Sequence, residues 1–292
     1  MQPLLIHIHV PKCAGTTIEQ HLRDHLGPQS FWMPQKRTTT LPLELFGRKY
    51  RRPVGLDAER IAAISGHYAG RSVESGFVGR RIYRTMLLRD PEGLMISWYN
   101  FRMARYLAAG QRPYSFATHM RALPADPVAH FLLDRWLEMP YAKIASMRHD
   151  EKCGRLQEAL SGMDFIGDVS DCDRLTAWSG ERLEIHGEAA PVNTFEQRNR
   201  AGGWRKITRE DIEPAILAEL RERTRLDHWL WLRWAMGQRH LPAPARSYGF
   251  IRSEMRRGAT EVIRQVARGK AKAARPAKMA GSVADTRIVP GE

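Results

Sequence analysis

Lys12 lies in a short turn between an apolar run and a helix-like segment, where its charge is well placed to bind an anion. The run Leu4–Val10 predicts a strand, and the segment Thr16–Leu26 predicts a helix. This order directs backbone N–H groups and the positive end of a helix at one point. The turn therefore predicts a phosphate or sulfate site, and the simpler alternative is a basic connection that binds nothing. Its sequence is Pro11-Lys12-Cys13-Ala14-Gly15-Thr16-Thr17.

The spacing of this turn differs from that of the nucleotide-triphosphate loop. That loop reads G-x-x-x-x-G-K-[ST], with its lysine after the second glycine. Here Lys12 comes three residues before Gly15, the single glycine of the turn. The predicted cradle is therefore shorter, and the lysine enters it from the strand side.

A second segment carries groups that suit a second anion. Arg81–Leu88 predicts a strand, and Pro91 can occupy the first position of the helix that follows. Arg89 then lies at the carboxyl end of the strand, and Ser97 lies eight residues later on the helix. A guanidinium fork and a hydroxyl can hold one phosphate from two sides.

Together, these two segments resemble the cofactor motifs of the sulfotransferases that use 3′-phosphoadenosine 5′-phosphosulfate (PAPS). The lysine turn resembles their 5′-phosphosulfate loop, and Arg89-Asp90-Pro91 followed by Ser97 resembles their 3′-phosphate motif. His9-Val10-Pro11-Lys12 is similar to the loop of carbohydrate sulfotransferases of the heparan sulfate 2-O type and of their bacterial relatives. The resemblance implies an α/β fold, with a P-loop-like central parallel sheet flanked by helices.

The resemblance also implies a role for each motif residue. Lys12 and the N–H groups of residues 13–17 would stabilise the leaving group, and His67 of the Gly66-His67 pair would be the general base. His67 lies at the carboxyl end of the short predicted strand Ile61–His67, where open α/β sheets place ligands. The first two motifs supply these expected cofactor-binding residues: Lys12, Cys13, Ala14, Gly15, Thr16, Thr17, Arg89 and Ser97. No metal is expected, because lysine and backbone supply the positive field.

A third segment resembles the loop that covers the 3′-phosphate in cytosolic sulfotransferases. It runs from Arg198 to Thr208 and contains two glycines among basic side chains. Arg198, Arg200 and Gly202 are therefore further candidates for cofactor binding, and an exposed basic turn is the alternative. The chain departs from the family at Cys13, where a threonine or serine is usual, and at Leu94, where an arginine is frequent.

Composition and charge limit the class of protein. The 292 residues are 43% hydrophobic and carry a net charge of +14, which favours a globular enzyme with anionic ligands over a disordered chain.

We expect a sulfotransferase domain over residues 1–244 and a basic C-terminal helix with a disordered tail over residues 245–292. About half of the net charge belongs to residues 246–292, which contain eleven Lys or Arg and four Asp or Glu. This tail can contact an anionic membrane surface.

The expected reaction is sulfuryl transfer from PAPS to a hydroxyl acceptor, which leaves adenosine 3′,5′-bisphosphate. Family resemblance favours a carbohydrate acceptor.

Three cysteines without a paired framework, and no room for a leader before the first strand, predict a cytoplasmic protein. Two alternatives remain open: a small-molecule kinase, and a non-enzymatic protein that binds nucleic acid or membrane through the tail. The basic run Arg48–Arg52 is either a solvated loop or an acceptor rim.

Overall fold

The fold is built on a parallel sheet with helices packed against it. The computed structural model describes residues 2–32, 59–185, 187 and 203–245. Its five strands lie in the order β2-β3-β1-β4-β5, and every neighbouring pair is parallel. The strands are β1 (Leu4–Ile8), β2 (Ser30–Trp32), β3 (Ala63–Gly66), β4 (Ile82–Leu88) and β5 (Phe165–Asp168). The α/β class with a parallel sheet and flanking helices, predicted from sequence, is therefore confirmed.

Strand β1 occupies the centre of the sheet, and all five of its residues are buried. Such continuous burial is typical of central strands in parallel sheets, which are covered on both faces. His7 is the polar exception, and its Nδ1 lies 3.1 Å from Oγ1 of Thr85 on β4. Burial and then the charge of His9 lower the pKa of His7 to about 3, so His7 is a neutral member of the core.

Helices follow β1, β4 and β5 in the chain, and further helices come after them. They are α1 (Gly15–Leu26), α2 (Pro91–Ala108), α3 (Phe116–Ala122), α4 (Pro127–Phe131), α5 (Tyr141–Ser146), α6 (His149–Ser161), α7 (Cys172–Leu183), α8 (Pro214–Arg223) and α9 (Arg225–Leu230). Helices α4 and α9 each continue into a π-helical turn, over Leu132–Trp136 and Trp231–Ala235. Helix α1 follows β1 closely and α2 follows β4, so both helices begin at the edge of the sheet where these neighbouring strands end.

Two expectations about local structure are wrong. The prolines at positions 28, 34, 42 and 53 predict an irregular connection over residues 28–58, but β2 forms at Ser30–Trp32 by pairing with β3 at the edge of the sheet. Thr208 is a typical capping residue and predicts a helix that begins near Arg209, but the helix begins at Pro214 instead. The N–H of Thr208 donates to Asp211 Oδ2 at 2.8 Å, which holds the chain in a turn before the helix.

Some sequence predictions fall outside the described residues. They are the segments 48–52 and 246–292 and the candidates Arg198, Arg200 and Gly202. Among the helices that the structure does describe, none has both the length and the apolarity needed to cross a membrane.

Candidate functional site

The carboxyl ends of β1, β3 and β4 meet at one edge of the sheet. Ile8 of β1 is in register with Gly66 of β3, and His7 is in register with Thr85 of β4. From β1 the chain passes to β2 and β3 on one side, whereas β4 and β5 lie on the other side. Strand β1 therefore stands at the topological switch point, where open α/β sheets bind their ligands. The segments that begin at His9, His67 and Arg89 all leave from this edge.

The lysine turn is held in an unusual backbone conformation. Lys12 has φ 64° and Ala14 has φ 57°, in the left-handed region that costs a non-glycine residue about 1–3 kcal/mol. Between them the Cys13 side chain is buried, and its Sγ donates to the carbonyl of Pro11 at 3.6 Å. Burial raises the pKa of the Cys13 thiol well above its usual value. Cys13 therefore anchors the turn as a neutral group.

The turn presents fewer N–H donors than the sequence suggested. The N–H of Cys13 donates to Val10 O at 3.2 Å, and that of Thr17 donates to Ala14 O at 2.9 Å. This corrects the expectation that the N–H groups of all five residues 13–17 face a ligand, because two of them close the turn. Within the described chain, the N–H groups of Ala14, Gly15 and Thr16 donate no hydrogen bond. No acidic residue occupies the first turn of α1, so three donors and the positive helix end remain for an anion.

Two cations from the loops that follow β1 and β4 lie along one face of α2. The Lys12 Nζ is 4.1 Å from the centroid of the Phe101 ring. Arg89 folds over the first turn of the same helix, because a Cβ at Gly93 would come within 3.3 Å of the Arg89 Nε. Gly93, Ser97 and Phe101 are spaced by four residues and therefore share one helix face. Ser97 thus lies between the positions that Arg89 and Lys12 occupy.

Arg89 is available to a ligand, whereas its neighbour Asp90 is occupied. Asp90 caps α2, with Oδ1 accepting from Glu92 N at 3.2 Å and Oδ2 accepting from Gly93 N at 2.6 Å. Within the described part of the chain, the Arg89 guanidinium makes no hydrogen bond or ion pair. Its positive charge opposes the effect of burial on the pKa of the Cys13 thiol. The charge of Arg89 therefore acts on the lysine turn as well as on α2.

His67 is fixed beside the turn in a single tautomer. Its Nδ1 lies 2.6 Å from the backbone carbonyl oxygen of His9, and a carbonyl oxygen only accepts hydrogen bonds. The proton is therefore on Nδ1, and Nε2 carries the lone pair. Burial and then the charge of His9 lower the pKa of His67 to about 4, although the bond to the His9 carbonyl and the Glu19 charge act in the opposite direction. At neutral pH, His67 can accept a proton at Nε2.

The described end of the third segment packs on α2 through Asn100. The buried Asn100 amide accepts from Trp204 Nε1 at 3.0 Å and from Ile207 N at 2.9 Å, and it donates to Ile207 O at 2.8 Å. Trp204 also meets Tyr99 edge-on, with ring centroids 5.7 Å apart. These contacts hold residues 204–207 against the helix that carries Ser97.

Sequence reasoning missed Gly93 and Phe101, which lie next to Arg89 and Lys12 on α2. The spacing of Gly93, Ser97 and Phe101 was a usable signal, because four-residue steps mark one helix face. Leu94 is 1% exposed and therefore belongs to the core. Within the described residues, no group of three or more His, Cys, Asp or Glu side chains could hold a metal ion.

No protein-family model matches the chain, and no curated protein sequence matches it. A functional interpretation therefore depends on the residues themselves and on their geometry. Three N–H donors, Lys12, Arg89 and Ser97 suit a ligand with two separate anionic groups. His67 adds a proton acceptor at the same sheet edge.

Proposed function

We propose that the protein transfers a sulfuryl group from PAPS to a hydroxyl acceptor. The observation that carries the proposal is the position of Lys12 and Arg89 over Phe101 and Gly93 on one face of α2, with Ser97 between them. Two anion-binding groups that face one helix suit a nucleotide with anionic groups at both its 5′ and 3′ ends. The strand–turn–helix at the central strand supports a P-loop-like sulfotransferase fold.

The residues present fit each end of this donor. The N–H groups of Ala14, Gly15 and Thr16, together with Lys12, suit the 5′-phosphosulfate. The half-buried hydroxyls of Thr16 and Thr17 are close enough in sequence to add donors there. Arg89 and Ser97 suit the 3′-phosphate, because a guanidinium binds phosphate through parallel hydrogen bonds. Arg198, Arg200 and Gly202 remain candidates for covering that phosphate.

The proposed chemistry is electrostatic and resembles phosphoryl transfer. An in-line displacement of this kind has a loose transition state and depends on positioning and charge stabilisation. Lys12 and the three N–H groups would stabilise the negative charge that grows on the departing oxygen. His67 would accept the proton of the attacking hydroxyl at Nε2. By resemblance, the hydroxyl belongs to a carbohydrate.

The test compares the binding of two nucleotides by titration calorimetry. We expect adenosine 3′,5′-bisphosphate to bind about 10- to 100-fold more tightly than 5′-AMP, since hydrogen bonds to a charged group contribute about 1.5–3 kcal/mol. Arg89→Gln should remove this preference and lower the affinity for 5′-AMP far less than that for the bisphosphate, because Arg89 acts on the lysine turn only through its charge. Ser97→Ala should reduce the preference by a smaller factor.

Equal affinities for the two nucleotides in the unmodified protein would refute the proposal. A separate arm measures group transfer with PAPS or with ATP, each with and without Mg²⁺. Transfer from ATP that requires Mg²⁺ would favour the kinase alternative instead.

A further inference from the structure

His9 and Glu19 form a buried pair directly beside His67. His9 Nδ1 lies 2.7 Å from Glu19 Oε1, and the two side chains are 9% and 8% exposed. The rings of His9 and His67 are packed with their centroids 4.0 Å apart. Three parts of the fold meet here, because His9 follows β1, Glu19 lies on α1 and His67 follows β3.

Gly15 makes the space for the His9 ring. A Cβ at position 15 would lie 2.0 Å from Cδ2 of His9, too close for any side chain. The requirement for glycine here comes from this contact, since Gly15 is not among the residues with positive φ. The imidazole of His9 is therefore confined between the first residue of α1 and the ring of His67.

The hydrogen bonds determine where the protons lie. A carboxylate accepts hydrogen bonds, so His9 Nδ1 carries a hydrogen and donates a hydrogen bond to Glu19. His67 Nδ1 donates to the backbone carbonyl of His9. The side chain and the backbone of His9 thus both contact His67, and His67 Nε2 is left as the acceptor.

The same contacts govern the charge of His67. Any positive charge on the His9 ring, whose centroid is 4.0 Å away, opposes a positive charge on His67. The charged groups that act on His67 are His9, which lowers its pKa, and Glu19, which raises it less strongly. The remaining ring contact is apolar, with the Phe131 centroid 6.3 Å away.

We propose that the His9–Glu19 pair is a positioning unit for His67: it fixes the ring with its Nδ1–H on the His9 carbonyl and leaves Nε2 as the acceptor. His9 and Glu19 act through His67. The catalytic consequence rests on the proposed function, whereas the positioning itself can be measured without any nucleotide.

The test follows histidine protons by NMR in protein labelled with ¹⁵N-histidine, with His67 assigned by comparison with His67→Asn. In the unmodified protein we expect His67 in the Nδ1–H form from pH 5 to pH 8. His9→Asn keeps an amide donor near the Nδ1 position but loses the ring and its charge. This change should raise the midpoint of His67 titration above about 4, but not as far as the ordinary value of about 6.5, because burial is the larger cause of the shift and remains.

Two further variants separate positioning from a general loss of structure. Glu19→Gln should instead lower the midpoint, because the charge of Glu19 raises the pKa of His67, whereas a general loss of structure would raise it. Asp24→Asn, an exposed change on the same helix, should leave the midpoint where it was.

An Nε2–H tautomer in the unmodified protein would overturn the proposal, and this result needs no variant to fold. An unchanged midpoint in a folded His9→Asn protein would overturn it as well. If the nucleotide preference is absent but the NMR predictions hold, the proposed function fails and the positioning unit stands. If both hold, His9→Asn should lower kcat and leave the KM for the donor within about twofold.

Discussion

Lys12 and Arg89 reach the same helix face from loops that are 77 positions apart in the chain. Their roles need not be equal. Arg89 lacks a hydrogen-bond partner within the described residues and suits the 3′-phosphate, which keeps its charge throughout the reaction. Lys12 stands in the strained turn with the three N–H donors, where charge grows only during transfer. Arg89 should therefore govern binding, and Lys12 should govern turnover.

Replacing Lys12 by methionine tests this division. We expect Lys12→Met to lower turnover by about 10²- to 10³-fold, the usual effect of removing one group that stabilises a developing anion. Affinity for adenosine 3′,5′-bisphosphate should fall by less than about tenfold, because the bisphosphate lacks the developing charge. Steady-state kinetics and calorimetry measure the two quantities.

The control is Arg23→Met, which removes an exposed cation from the last turn of α1. It should change neither quantity by more than about twofold. A Lys12→Met protein that loses affinity and turnover by the same large factor would show that Lys12 serves binding rather than the transition state.

At the residue scale, the sequence predicted the elements around the candidate side chains better than it predicted what those side chains contact. The strand, turn and helix around Lys12 follow from apolar runs and glycine placement, and β1 and α1 formed where expected. The hydrogen bond from the Cys13 N–H to Val10 O accompanies the left-handed φ of Lys12, and no residue type in the turn predicts that conformation. The His9–Glu19 pair depends on how α1 leaves the turn, so spacing alone did not reveal it.

Helices α4 and α9 are joined by two buried carboxylates that cap each other's first turns. Asp126 Oδ1 accepts from Leu226 N at 2.8 Å, and the Asp227 carboxylate accepts from Val128 N at 2.9 Å and from Ala129 N at 2.7 Å. Burial raises the pKa of Asp126. Burial and then the charge of Asp126 raise that of Asp227. In the folded protein, the pair therefore retains a proton at a pH where the unfolded chain has lost it.

Stability should consequently fall as pH rises from about 4 toward neutrality. A raised native pKa means that the native state binds more protons in this window, so the free energy of unfolding decreases with pH. Asp126→Asn imitates the protonated carboxyl. We expect it to reduce the loss of unfolding free energy between pH 5 and pH 8 by at least about 1.4 kcal/mol. Urea unfolding at the two pH values measures the difference.

Asp24→Asn serves as the control, since Asp24 is an exposed carboxylate. Its slope should match that of the unmodified protein. A slope that is the same in all three proteins would mean that both carboxyls are ionised in the folded state.

At the element scale, local pattern predicted the long elements, and long-range pairing decided the rest. Helix α2 begins at Pro91 and β4 ends at Leu88, as the proline and the apolar run predicted. The three-residue strand β2 is too short to show a periodicity, and its place depends on pairing with β3. The sheet order that puts β1 between β3 and β4 likewise follows from contacts between distant segments.

At the scale of the whole molecule, charge and topology favour the same class of ligand. The net charge of +14 raises the local concentration of anions. The switch point at β1 puts the turn, Arg89 and His67 at one edge of the sheet. About half of the excess charge lies in residues 246–292, outside the described part. A role for that segment at a membrane surface stays a prediction.

The most direct test is a crystal structure of the protein with adenosine 3′,5′-bisphosphate. We predict the 5′-phosphate within hydrogen-bond distance of the N–H groups of Ala14, Gly15 and Thr16, and the 3′-phosphate on Arg89 and Ser97. Both phosphates of one molecule should lie along the face of α2 that Gly93 and Phe101 share. A nucleotide that contacts the turn but leaves Arg89 and Ser97 without a phosphate would contradict the account.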